Sequence, residues 1–120
     1  QYLLASGQTS EDLPYPSIVA QNTHAGVLHY QHYDRDPPAV RRSFLIDAGA
    51  AWRGYAADVT RTYAAADAPD GDAFAALVAA LERAQLALID GIRPGLDYVA
   101  LHEAAHRAVA AILSEHALVT

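Results

Sequence analysis

The chain has 120 residues, 52% of them hydrophobic and 18% charged, with a formal net charge of -6 at pH 7 and no cysteine. That size and balance describe one globular unit with enough apolar surface for a core, and the missing thiols exclude disulfides and thiolate zinc sites, leaving oxygen and imidazole to hold any metal. The acidic balance, with scattered arginines as the only basic residues besides histidine, argues against a nucleic-acid partner, and no apolar run approaches the roughly 20 residues of a bilayer span.

Methionine is absent and Gln1 stands first, so the chain reads as a fragment cut from a larger protein. In chain order, QYLL and the polar GQTSED read as a helix end followed by a loop. PSIVAQN carries a β-rich apolar pair before turn-formers and predicts a first strand. HAGVLHYQHY alternates in bulk and predicts a second, and YDRDPPAVRR is a loop because Pro37-Pro38 cannot feed a sheet ladder. SFLIDAGA and GYAADVTRTY predict a β-hairpin around Trp52-Arg53-Gly54, with the glycine supplying positive φ. The period then becomes helical: Phe74, Leu77, Leu81, Ala84 and Leu88 follow Pro69 and the cap candidate Asp70, and Gly91 stops the run. After the Pro94-Gly95 turn, Asp97 caps a second helix with the apolar stripe Leu101, Ala105, Val109, Ile112 and Leu113.

Within that second helix lies HEAAH, residues 102–106, which matches the helical zinc motif H-E-x-x-H. At 100° per residue His102 lies on the flank of the apolar stripe, His106 at its edge and Glu103 toward solvent. A zinc protease needs a third ligand, and its extended form would need Gly and His where this chain has Val109 and Ile112. Glu115 is too near on the same helix to fold back. The pattern arises readily in an alanine-rich helix, so two helix-edge histidines are the favoured reading and a zinc protease the alternative.

The hairpin is more telling. Asp47 interrupts the apolar run Phe44 to Ala50, where an unpaired carboxylate costs several kcal/mol. A turn at Trp52-Arg53 sets Asp58 directly opposite Asp47; a turn at Arg53-Gly54 makes it the diagonal neighbour on the same face. Carboxylates about 5 to 8 Å apart on one face repel, and three remedies stand open: a divalent cation, neutralisation by Arg61 or another arginine, or a shared proton. A bulge separating the two is a further possibility.

At these residues the sequence resembles the pita-bread metallopeptidases, most closely the bacterial Xaa-Pro dipeptidases, or prolidases. ASGQ, PY-x-SIVAQN-x-HAGVLHY, RSFLIDAGA, GYAADVTRTY and IRPGLDYVALH look like successive blocks of that family's C-terminal catalytic domain. The resemblance implies an α+β fragment of a pita-bread fold, a curved antiparallel sheet with two helices on its outer face. Its segments would be a lead-in loop over 1–11, strands and the hairpin with both aspartates over 12–66, and two helices over 67–120. It implies two divalent metal ions, with manganese favoured and zinc or cobalt fitting as well. Asp47 would chelate one ion with both oxygens, and Asp58, eleven residues later, would bridge the pair. His29 would sit beside the metals as a catalytic group touching the substrate and shuttling a proton; its alternative, read alone, is a buried strand histidine bonded to a backbone carbonyl. Tyr15 would line the substrate pocket. Thr60 and Arg61 are candidates to support the ligands, while His24, His32 and His116 are assigned to structure or surface. By the same resemblance HEAAH lies on an outer helix, remote from the metals.

The family's remaining ligands, a histidine and two glutamates, have no counterpart before Thr120. The expected function is therefore that of a parent enzyme, a cytoplasmic metallopeptidase hydrolysing Xaa-Pro dipeptides and open to organophosphates, with the isolated chain inactive and needing the rest of the parent chain. A non-catalytic pita-bread binding module is a further alternative. Homo-oligomerisation, with self-association of the isolated chain through open sheet edges, is also expected.

Overall fold

The computed structural model describes residues 9, 11–69 and 71–119. The expectations for QYLL and for Asp70 as a cap lie outside these residues, as does most of the 1–11 segment. The chain divides into two units, residues 1–71 and 72–120. The first is antiparallel β and the second helical, an α+β composition. No described helix is long and apolar enough to cross a membrane.

In the first unit, β1 (Ile18–Gln21), β2 (Ser43–Ala48) and β5 (Val59–Ala64) form a sheet in the order β1-β2-β5, and the short β3 (Ala51–Trp52) and β4 (Tyr55–Ala56) form a two-stranded ribbon. All pairings are antiparallel. Ile18 stands opposite Asp47, and Asp47 stands opposite Thr60, so one row crosses the sheet with an aspartate at its centre. The face bearing Asp47 is the better covered: Ile18, Ala20 and Ser43 on it are all buried. On the other face Phe44 and Tyr63, directly opposed, stack with centroids 6.3 Å apart, the cross-strand aromatic contact that stabilises a pleated pair.

One register runs through the whole hairpin. Arg42 accepts from the Ala65 amide and Ala50 from the Ala57 amide at 2.8 Å, and Trp52 pairs with Tyr55. The turn is therefore Arg53-Gly54, with φ of 51° and 86°, positive at both central positions as a type I′ turn requires. Gly54 adopts this freely, whereas Arg53 pays about 1–2 kcal/mol for a left-handed backbone; its guanidinium lies 5.4 Å from the Trp52 ring centroid, a contact that offsets part of the strain.

The expected second strand over HAGVLHYQHY does not form. Asn22–Gly26 is a 3-10 turn lying against β1 and β2, and the segment that follows carries no strand up to Ser43. A strand is stable only as a paired object, and among the described strands none pairs with this segment, so its alternation goes unused: Val27 and Leu28 are both exposed. What holds the segment's ends is Asn22. At φ 53°, a conformation asparagine tolerates, its amide donates to the Val40 carbonyl at 2.8 Å and its side-chain oxygen accepts from the Arg42 amide at 2.8 Å and the Ser43 amide at 3.3 Å.

The helical unit comprises α1 (Gly71–Asp90) and α2 (Tyr98–Glu115). On α1, Phe74, Leu77, Ala84 and Leu88 are partly buried and Ala80 is buried, while Leu81 is 38% exposed. The Gly91 amide closes the last turn on the Ala87 and Leu88 carbonyls, where the sequence placed the stop. Asp97 caps α2 as expected, accepting from the Val99 amide at 2.9 Å. Ile112 is its buried stripe residue, with Leu101, Ala105 and Leu113 partly buried and Val109 more exposed.

Candidate metal centre

The centre begins with the register. Asp47 points from β2 on the covered face, and Asp58 stands just before β5 as the diagonal neighbour of Asp47, the second of the two registers considered above. Between them the two chains pinch together at the buried Gly49. A Cβ built there would lie 2.0 Å from the Ala57 carbonyl oxygen and 2.9 Å from Tyr15 Cε1, so only glycine admits this approach. The pinch brings the segment carrying Asp58 against the end of β2 and lets the Tyr15 ring slide in beside it.

Tyr15 then closes the site. Its hydroxyl donates to Asp47 Oδ1 at 2.7 Å and to Asp58 Oδ1 at 3.0 Å. One phenol carries one proton, so both carboxylates compete for a single donor. The two Oδ1 atoms can be no farther apart than these bonds laid end to end. Arg61, the candidate neutralising group, instead donates to the Thr60 carbonyl at 2.8 Å. Asp47 is partly buried and Asp58 exposed. Burial first, then the hydrogen bonds to Asp47 and Asp58 and their negative charges, push the Tyr15 hydroxyl well above its ordinary value near 10, because a phenolate here would face two carboxylates.

This donor set fits a hard divalent cation: carboxylate oxygens in excess, no ion pair to either aspartate among the described residues, and no sulfur. It is also incomplete, since among the described residues no group of three or more His, Cys, Asp or Glu side chains converges. Of the residues singled out in the sequence, the structure brings together Tyr15, Asp47 and Asp58. His29 makes no hydrogen bond to this group among the described residues; it is exposed, lies outside any strand and has φ of 53°, which sets aside its reading as a buried strand histidine. Thr60 lies opposite Asp47. Sequence reasoning missed Gly49 and the bridging role of the Tyr15 hydroxyl; the only signal was a glycine between two aspartate-bearing strands.

HEAAH forms no catalytic zinc centre among the described residues. His102 and His106 are exposed with ring centroids 4.4 Å apart, while Glu103, the would-be general base, faces Arg107 at 3.6 Å. The remaining histidine cluster is a loop feature: His24 stacks on Tyr30 at 4.6 Å, His32 meets the same ring edge-on at 5.8 Å, and His24 Nδ1 lies 3.6 Å from Asp34.

A carboxylate pair with Asp47 on β2 and Asp58 just before β5, offering oxygen donors and no thiol, is a donor set that a hard divalent cation would accept. Comparison with known proteins makes this specific. The profile of metallopeptidase family M24 matches residues 1–117, and the chain belongs to that family. It is 50% identical over 119 residues to an Xaa-Pro dipeptidase of Marinobacter nauticus, covering 99% of this chain and 27% of that one. It is 52% identical over 119 residues to an Xaa-Pro dipeptidase of Yersinia pseudotuberculosis, covering 99% and 26%, and 48% identical over 120 residues to one of Shewanella sediminis, covering 100% and 26%. The chain thus spans about a quarter of the length of the relatives it matches.

Proposed function

We propose that this chain is the first part of the catalytic domain of a metal-dependent Xaa-Pro dipeptidase and contributes Asp47 and Asp58 to a two-metal centre completed by the rest of the parent protein. The observation that carries the reading is the pair of carboxylates sharing one Tyr15 proton, an uncompensated negative site on a rigid hairpin. In the parent, Asp47 and Asp58 would hold the two ions together with ligands from the rest of the protein, and the ions would supply Lewis acidity toward the peptide carbonyl and lower the pKa of the attacking water. The Tyr15 hydroxyl fixes the carboxylate orientations and lines the substrate pocket, and His29 serves as the proton shuttle beside the scissile bond. Manganese suits the oxygen-rich donors, with zinc or cobalt as substitutes. A cytoplasmic homo-oligomer completes the proposal.

The test is Asp58→Asn in the full-length parent. Metal-dependent cleavage of Xaa-Pro dipeptides should be abolished while the protein remains folded; full activity in that variant would refute the assignment. His106→Ala should leave activity unchanged, and its loss would instead favour the zinc-protease reading.

A further inference from the structure

We propose that His102 and His106 form a second metal site, independent of the carboxylate pair, which takes an imidazole-preferring divalent transition ion such as Ni2+ or Zn2+ at the surface of α2. The two histidines are four residues apart, so their side chains rise from successive turns on the same side of the helix. Their ring centroids are 4.4 Å apart and their planes inclined by 53°, rather than stacked flat as two idle rings could be. Both are exposed, and no hydrogen bond or ion pair engages either ring among the described residues. Tyr98, one turn back, lies parallel to His102 with centroids 6.5 Å apart and 15° between planes, backing the ring on the side away from His106. Glu103 is drawn toward Arg107, and so neither competes for the imidazoles nor adds an oxygen ligand.

The ion class follows from the donors. Imidazole nitrogen ranks nickel, copper and zinc above manganese, whereas carboxylate oxygen suits magnesium, calcium and manganese. The chain therefore presents two sites of opposite preference, an all-oxygen pair on the hairpin and an all-nitrogen pair on α2. Two ligands leave the other coordination positions to water, so the site binds and releases ions reversibly instead of closing around one as a four-ligand structural site does. Because the folded helix has already set the spacing, the second imidazole binds as an intramolecular event and strengthens the first by about a hundredfold or more.

Titration of the 120-residue chain with NiCl2 alone, followed by calorimetry and by the histidine ring proton signals, tests this. His102 and His106 should be perturbed first among the six histidines. His106→Ala and His102→Ala should each weaken binding by at least about tenfold, and Asp58→Asn should leave it unchanged. Both alanine variants keep the fold, since they replace exposed helix residues with a better helix former. Moving the first imidazole to the exposed position 103, by His102→Ala with Glu103→His, keeps a three-residue spacing and should recover most of the affinity; moving the second to 107, by His106→Ala with Arg107→His, should not. Unchanged binding in His106→Ala, or an equal loss in Asp58→Asn, overturns the proposal. Mn2+ binding that depends on His106 as strongly as Ni2+ binding does overturns the ion class.

Discussion

Gly49→Ala is the sharpest perturbation of the hairpin. The added methyl would lie 2.0 Å from the Ala57 carbonyl oxygen, against at least 3.4 Å for ordinary contact, so the two strands must part by about 1.4 Å. The nearest obstacle is backbone, which cannot swing aside, and the Tyr15 ring at 2.9 Å is the second. Overpacking costs about 1–3 kcal/mol, and stretching the neighbouring Ala57 to Ala50 hydrogen bond, now 2.8 Å, adds roughly 1 kcal/mol. The sum of about 2–4 kcal/mol corresponds to a fall in Tm of about 10 °C or more for a chain of this size. Gly26→Ala is the internal control: nothing lies within 4 Å of its added methyl, and its effect should stay within about 0.5 kcal/mol. Thermal unfolding followed by circular dichroism gives the comparison, and amide exchange at Ala57 reports whether the pinch has opened. If both variants melt together and Ala57 keeps its protection, the close approach at Gly49 does not hold the site.

Three further outcomes follow from the same geometry. Tyr15 should ionise well above its ordinary value near 10, because its folded-state hydroxyl is pushed up by burial and both aspartates; the contribution it makes is complete below pH 10 and is lost as pH rises through the folded value, so an ultraviolet titration should lose a strongly alkaline step in Tyr15→Phe. Asp58→Asn should raise the metal-free stability of the chain by about 0.5 kcal/mol, by relieving like-charge crowding, while removing any rise in Tm on adding MnCl2; a metal-free loss of stability would contradict the uncompensated charge. Asn22→Ala should cost about 1–3 kcal/mol in denaturant unfolding, since it strands the groups clipped by one amide, whereas a neutral result would mean the clip is dispensable.

What the sequence revealed follows the range of the interactions concerned. Both helices were legible, because their periodicity, the Asp97 cap and the Gly91 stop are local features. The hairpin was legible because its two strands are joined by a short turn, but two registers suited the sequence equally, and the Trp52 to Tyr55 pairing decides for the Arg53-Gly54 turn. The segment from His24 to Tyr33 misled because alternation measures suitability for a strand, while pairing depends on a neighbour that the sequence does not name. The Tyr15 contacts were hidden for a related reason: its partners are 32 and 43 residues away, and nothing in a PY dipeptide specifies which oxygens its hydroxyl meets. Glycine at 49 was visible only as composition until the opposing carbonyl was in place.

The uninterrupted hairpin register makes the eleven-residue interval between Asp47 and Asp58 a reading frame. Side chains alternate faces along each strand, so one residue inserted or deleted within a paired arm, between Ala48 and Trp52 or between Tyr55 and Asp58, would turn one aspartate to the opposite face unless a bulge absorbed it. A two-residue change divided equally between the arms of the hairpin would only lengthen or shorten its tip and would keep both carboxylates together. The exposed tip around Trp52 and Tyr55 is therefore open to substitution and to changes in loop length, while single-residue length changes within the two arms would displace a carboxylate. In a set of related sequences, odd-numbered gaps in this stretch should fall at the tip and gaps within the arms should come in twos.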